Sequence, residues 1–263
     1  MRPSAARAAS ARRDGAEPAP RLHPWAKALV AALAALLPIA APSLAGDRAL
    51  IDFIGFSPDF RYFAFEEFGI QDGSGFAYAN LYVVDLSRDD WVAGTPIRVR
   101  ADDEQRPLAA IRAEAAAGAA GHLAELGIDV PVVVAELIGD GVPDIDAKSL
   151  VFGAPGYQPG AVLDRHALAL ATFETAAASP CADWFGAAPL GFALTLSGEG
   201  TETLLHRDAA LPRSRGCPLD YRLYGVVMPF TAPVAAHAVA IISVYPGGFE
   251  GPDRRFLAVP LGR

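Results

Sequence analysis

Cysteine is scarce, with 2 among 263 residues, which excludes a small scaffold held together mainly by disulfides. Charge is also thin, at 20% of residues against 52% hydrophobic, and an apolar fraction of that size can bury a core, so an acidic disordered chain is excluded too. The 25 Gly and 22 Pro follow no three-residue period, which rules out a collagen-like rod. Catalytic signatures are missing: there is no G-x-S-x-G elbow, no H-E-x-x-H pair, no P-loop and no dinucleotide fingerprint. No repeat recurs at about 40-residue spacing, which argues against a full propeller ring.

What is present begins with a leader. Residues 21–46 read RLHPWAKALVAALAALLPIAAPSLAG, in which Arg21 and Lys27 precede an apolar run from Ala28 to Ala41. Pro38 and Pro42 interrupt it short of the ~20 residues a bilayer span needs, and small residues at Ser43 and Ala45 supply a cleavage site. The pattern predicts a signal peptide, with residues 1–45 an N-terminal extension and leader, cleavage after Ala45, and residues 46–263 a single exported domain. The leader holds six of the 22 basic and two of the 30 acidic residues, so the remainder carries 16 and 28, a formal charge of −12. Such a surface repels nucleic acid and anionic membrane, and neither is expected as a partner. No Cys follows the cleavage site to accept a lipid, so no stable membrane anchor is expected. Cys181 and Cys217 both fall in the exported part, where an oxidising compartment lets one disulfide form between them.

The exported part reads as mainly β with one helix. Ala49 to Phe56, a Ser57-Pro58-Asp59 turn and Arg61 to Phe68 predict a hairpin, the second strand apolar on one face at a period of two. Ala79 to Leu86 is nearly continuous in apolar residues and predicts a strand buried on both faces. This meander resembles one blade of the propeller repeats of periplasmic translocation proteins. Asp89 to Arg100 reads as a short strand pair, and Arg106 to Leu126 as an Ala-rich helix spaced on Leu108, Ile111, Ala115 and Ala119. Gly118 and Gly121 weaken that helix, and Gly127 is its C-cap. From Val130 onward, short apolar runs between Gly/Pro turns have the rhythm of an antiparallel β domain.

Two sets of residues carry candidate chemistry. Gly139 to Asp146 (GDGVPDID) places Asp140, Asp144 and Asp146 around Gly141, oxygen donors at a spacing that suits Ca²⁺. The segment resembles the D-G-V-P-D stretch of calcium-binding thrombospondin-like repeats, although Glu136-Leu137-Ile138 stand where those repeats supply more acid, and a plain acidic turn accounts for it as well. The other set is three polar segments: Glu66 and Glu67 with Asp72, then LPRSRGC with Arg213 and Arg215, then GGFEGPDRR with Glu250, Asp253, Arg254 and Arg255. Guanidinium groups pair with carboxylates in bidentate geometry, so these read either as ion pairs locking loops together or as a mixed-charge site for a polar ligand. His122, His166, His206 and His237 sit singly and read as surface or core residues.

The same segments carry a family likeness. GFSPDFRYFAFEEFGIQDGSGFAYANLYVVDL, LPRSRGCPLDYRL and PGGFEGPDRRFLAVP resemble the bacterial predicted secreted proteins grouped as domain-of-unknown-function family 2259, along essentially the whole exported part. Phe60 departs from it, standing where Gly is usual after Ser-Pro-Asp. The resemblance implies export and a shared fold but no reaction, so it hands over no catalytic residue. The leading expectation is a non-enzymatic binding or scaffolding module of the periplasmic or secreted space, with an unknown envelope protein or polar ligand as partner and no cofactor other than calcium at the Asp140, Asp144 and Asp146 segment. The alternative is a carboxylate-dependent hydrolase of an envelope polymer or glycoside, with Glu66, Glu67 and Asp72 as its acids.

Overall fold

The computed structural model describes residues 46–142 and 145–262. The described residues form one compact unit. The predicted leader and its cleavage site fall outside the described residues, as does Asp144.

Three antiparallel sheets and one long helix make up this unit, as the β-rich pattern predicts. The first sheet holds β1 (Leu50–Phe56), β2 (Tyr62–Ile70), β3 (Ala77–Asp85), β4 (Asp90–Trp91) and β5 (Ile97–Arg100). The second runs β10 (Thr201–Arg207), β9 (Leu190–Gly198), β8 (Val162–Glu174), β7 (Ser149–Pro155). The third runs β13 (Arg255–Pro260), β12 (Val239–Pro246), β11 (Pro218–Pro229), β6 (Val132–Leu137).

The third sheet is the middle layer, and the period of two along β12 shows why. Ala240, Ile242 and Val244 pack into the core shared with Leu168, Phe192 and Leu194 of the second sheet. Val239 and Ile241, on the opposite face, pack with Phe63, Phe65 and Tyr82 of the first sheet. A strand apolar on both faces must be covered twice, and β12 is buried over seven of its eight residues.

The first sheet is covered twice as well. Helix α1 (Leu108–Glu125) lies on its outer face through Ile111, Ala115 and Ala119, against Ala64, Ala79 and Leu81. The one-faced alternation read for β2 is therefore corrected: residues 63–69 are all buried, because Phe63 and Phe65 meet the middle sheet while Ala64 and Phe68 meet the helix layer. Short Ala and polar side chains on that face mimic an exposed surface in sequence. The helix is unbroken despite its glycines, and at Gly118 a Cβ would come within 3.0 Å of Ile97 Cγ2, so the missing side chain lets the helix sit close to β5. It ends in a Schellman motif: Gly127, at φ +61°, donates to the Ala124 carbonyl (3.2 Å) and Ile128 to that of Leu123 (2.9 Å).

Two further expectations change in detail. The Asp89 to Arg100 strands do not pair with each other; β4 and β5 each pair with β3, at its two ends, because β2 occupies the other edge of β3 and the two short strands lie end to end along the free one. At the Ser57-Pro58-Asp59 turn, Phe60 takes φ +58°, the left-handed conformation for which Gly is favoured. Ser57 Oγ holds this turn, accepting from the Tyr62 N–H at 2.9 Å and donating to Asp59 at 2.6 Å. The predicted disulfide is present, joining Cys181, at the start of the short helix α2 (Cys181–Phe185), to Cys217 just before β11, with Cα atoms 5.4 Å apart.

Candidate ligand cleft

Strand β13 is an edge of the middle sheet, and beside it the two outer sheets leave a cleft of about 490 Å³. Its floor is apolar, from Val244, Phe256 and Val259. One wall comes from the inner face of β3, with Asn80 and Tyr82, and continues through Asp90 and Trp91 to Arg98. The other comes from the second sheet and the loop leading to Cys217, with Phe192, His206 and Arg215. Period-two alternation on β2 and β3 brings Glu67, Asn80 and Tyr82 to one face, where Glu67 Oε1 accepts from Asn80 Nδ2 at 3.0 Å and from the Tyr82 hydroxyl at 3.4 Å.

Glu67 is fully buried, and its other oxygen accepts the Phe256 N–H at 2.9 Å. Burial pushes its carboxyl upward, and the Arg255 guanidinium, 3.9 Å away, pulls it down with less effect. Arg255 is a hub: it reaches Asp47 at 2.7 Å, Asp253 at 3.5 Å and Glu67, and lies 5.1 Å over the Tyr78 ring. Burial opposes the charge of Arg255, but Tyr78, Asp47 and Glu67 outweigh it and hold the guanidinium protonated.

Across the cleft His206 stands between two carboxylates, Asp208 at 3.1 Å on Nε2 and Asp89 at 3.5 Å on Nδ1. Its ring stacks on Phe192, 4.5 Å between centroids and 17° from parallel. Burial disfavours the imidazolium, but the two carboxylates overcome it and push the group up to about 9. Asp208 answers in the other sense: burial raises it, while His206, the Phe192 N–H at 2.9 Å and Arg215 bring it below the ordinary range. The turn before β4 is thereby clasped to the second sheet.

The sequence-predicted residues divide. Glu67, Asp253 and Arg255 come together, and Arg215 joins the opposite wall through Asp208 and the Tyr221 hydroxyl (3.3 Å). Glu66 points the other way, under α1, where Arg112 Nε and Nη2 grip one oxygen at 2.9 and 2.7 Å. The adjacent glutamates thus cannot form an acid pair, because neighbours on a strand face opposite sides. Asp72 lies in the β2–β3 turn near Asp253. Arg213 and Glu250 are exposed. Of the calcium candidates, Asp140 accepts from the Tyr245 hydroxyl (2.6 Å) and from Arg254, and Asp146 accepts the Lys148 N–H (3.0 Å). Their carboxylates serve different partners, and among the described residues no group of three His, Cys, Asp or Glu gathers as metal donors.

Three cleft residues, Asp89, Trp91 and Arg98, are not singled out by the sequence, and His206 reads there only as a surface or core residue. The His206-x-Asp208 spacing, which puts both side chains on one side of a strand, was the one local signal for the clasp. Arg98, exposed and 5.6 Å over the Trp91 ring, forms no ion pair among the described residues.

Fold and cleft together define a layered antiparallel β protein with a mixed-charge cleft at an inner sheet edge. The family model for domain-of-unknown-function family 2259, described as a predicted secreted protein, matches residues 64–262, and the chain belongs to that family. The description supports an exported location, in keeping with the leader pattern in residues 1–45. No curated protein and no solved structure matches the chain.

Proposed function

We propose that the protein is an exported binding module whose cleft holds a small polar ligand from the cell envelope, one with a ring or apolar face. The observation that carries this reading is the lining. A cleft of about 490 Å³ lies within the usual range for small-molecule sites, and it sets Trp91 and Tyr82 beside Arg98, His206, Arg215 and Arg255, with Asp89, Asp90 and Glu67 in balance. Aromatic faces stack on rings, and opposed charges orient polar groups. Such a site suits a zwitterion or a polyhydroxylated ring better than a strongly charged anion.

The hydrolase alternative draws on Glu67, whose carboxyl is raised by burial as a general acid requires. Against it, both Glu67 oxygens already accept hydrogen bonds from Asn80, Tyr82 and the Phe256 N–H. That supports a role in holding the wall over one in proton transfer.

After removal of the leader the chain has two tryptophans, Trp91 and Trp184. In a Trp184→Phe background, emission from Trp91 reports on the cleft alone, and soluble envelope saccharides and muropeptides are the compounds to titrate. A ligand that shifts this emission and raises the melting temperature, with both effects lost in Arg98→Ala, supports the reading. Binding that Arg98→Ala and a Trp91→Phe variant leave intact refutes it. Turnover of a bound fragment that Glu67→Gln abolishes would favour the hydrolase.

A further inference from the structure

The chain entering β1 is tied down from its first described residue. The Arg254 N–H donates to the Asp47 carbonyl at 2.7 Å, Arg254 Nε donates to the Ala49 carbonyl at 2.8 Å, and the Asp47 N–H donates to Asp253 Oδ1 at 2.9 Å. Gly46 lies so close to the 252–254 segment that a Cβ there would fall 2.1 Å from the Pro252 carbonyl oxygen. Arg48 and Arg254 form a parallel bridge, so residues 46–49 run alongside that segment.

The charge beside this strap is unbalanced. Asp47, Glu67 and Asp253 all lie within 4 Å of the single Arg255 guanidinium. Asp72 brings a fourth carboxylate, close enough to act on Asp253, and its Oδ2 is buried with no hydrogen-bond partner among the described residues. Arg254, the next cation along, is directed to Asp140 and to the Ala49 carbonyl. Asp72 is partly buried as a residue, but a carboxylate oxygen shut away from water without a donor is costly, so the cluster calls for one more positive group. The nitrogen of Gly46 is one residue before the Asp47 nitrogen, and covalent geometry keeps it within about 7 Å of Asp253 Oδ1.

We infer that processing after Ala45 completes this cluster, the new α-ammonium of Gly46 pairing with Asp253 and Asp72. Water splits the Ala45–Gly46 peptide bond: the Ala45 carbonyl carbon takes the hydroxyl, and the Gly46 nitrogen takes a proton, with a second proton from solvent giving the ammonium at neutral pH. The amide of the unprocessed chain carries no charge and cannot play this part. Glycine at 46 fits the same account, since any side chain would drive the terminus off Pro252. The inference is independent of what the cleft binds. It makes leader removal a step that finishes the fold as well as one that releases the chain.

The test uses the full-length protein exported with its own leader. N-terminal sequencing is expected to begin Gly-Asp-Arg. Lys148 is the single lysine after residue 45, so reductive ¹³C-methylation gives two amine resonances, and the one that is not Lys148 reports the terminus. Its titration is expected about one unit or more above the ordinary ~7.8 of an α-amine. A version processed to leave Ser43-Leu44-Ala45 before Gly46 is expected to melt several degrees lower at pH 6.5, and Asp72→Asn is expected to shrink that difference. Sequencing that starts elsewhere, an α-amine titrating at its ordinary value, or coincident melts of the two forms would each overturn the inference.

Discussion

Replacing His206 with Gln separates the charge of the clasp from its shape. Both ring nitrogens of His206 face carboxylates, and an imidazole satisfies two acceptors only when both nitrogens carry protons. The group is held up to about 9 from an ordinary 6.5, a difference worth roughly 3 kcal/mol at ~1.4 kcal/mol per unit. The His206 side chain is 20% exposed at the cleft, and water there screens the pair, so a stabilisation on the order of 1 to 2 kcal/mol is the realistic figure. Because the folded value lies above the unfolded one, this stability is complete below pH ~6.5 and is lost as pH rises through ~9. For a chain of this size 1 kcal/mol moves the melting temperature by about 2 to 4 °C. Wild type should therefore melt about 2 to 8 °C above His206→Gln at pH 6, with the gap closing by pH 9.5. Calorimetry across that range reads it, and an NMR titration of the His206 ring gives the site value directly. A gap that stays constant with pH, or a His206 ring titrating near 6.5, would refute the assignment of a clasped imidazolium.

Other outcomes follow from burial and from chain entropy. The Cys181–Cys217 bond closes a loop across a sequence separation of 36, so replacing both cysteines with serine should cost about 3 to 4 kcal/mol in denaturant unfolding. Arg255→Met leaves Asp47 and Glu67 buried without their cation; a loss of about 3 to 5 kcal/mol is expected, visible as a lowered denaturation midpoint. Ile111→Ala, at a fully buried position beneath the first sheet, should cost about 2 to 5 kcal/mol and leave the far-UV spectrum unchanged. Chelation should leave the melting temperature where it is, because Asp140 is already bound by Arg254 and Tyr245; a drop would restore the calcium reading of residues 139–146.

Much of the fold could be read along the chain. The antiparallel rhythm read from Val130 onward corresponds to strands β6 to β13, and the helix spaced on Ile111, Ala115 and Ala119 runs from Leu108 to Glu125. Local periodicity reports local backbone, which is why these succeed. The same periodicity misleads at β2, where Ala64 and Glu66 pass for a solvent face. There Arg112 of the helix shields Glu66, a partner 46 residues away. At the cleft the failure has the same cause. Glu67 and Asp253 lie 186 residues apart in sequence and meet around Arg255, while the clasp joins Asp89 to His206.

The sequence by itself determined the leader pattern, the acid balance of residues 46–263, the β-rich composition with one helix and the only possible disulfide, since each depends on composition or on neighbours in the chain. Only the tertiary structure decided that the third sheet lies between the other two, that its edge strand borders a cleft, and which carboxylate serves which cation. Those outcomes depend on how apolar faces stack. A face records that it must be covered, and not by what.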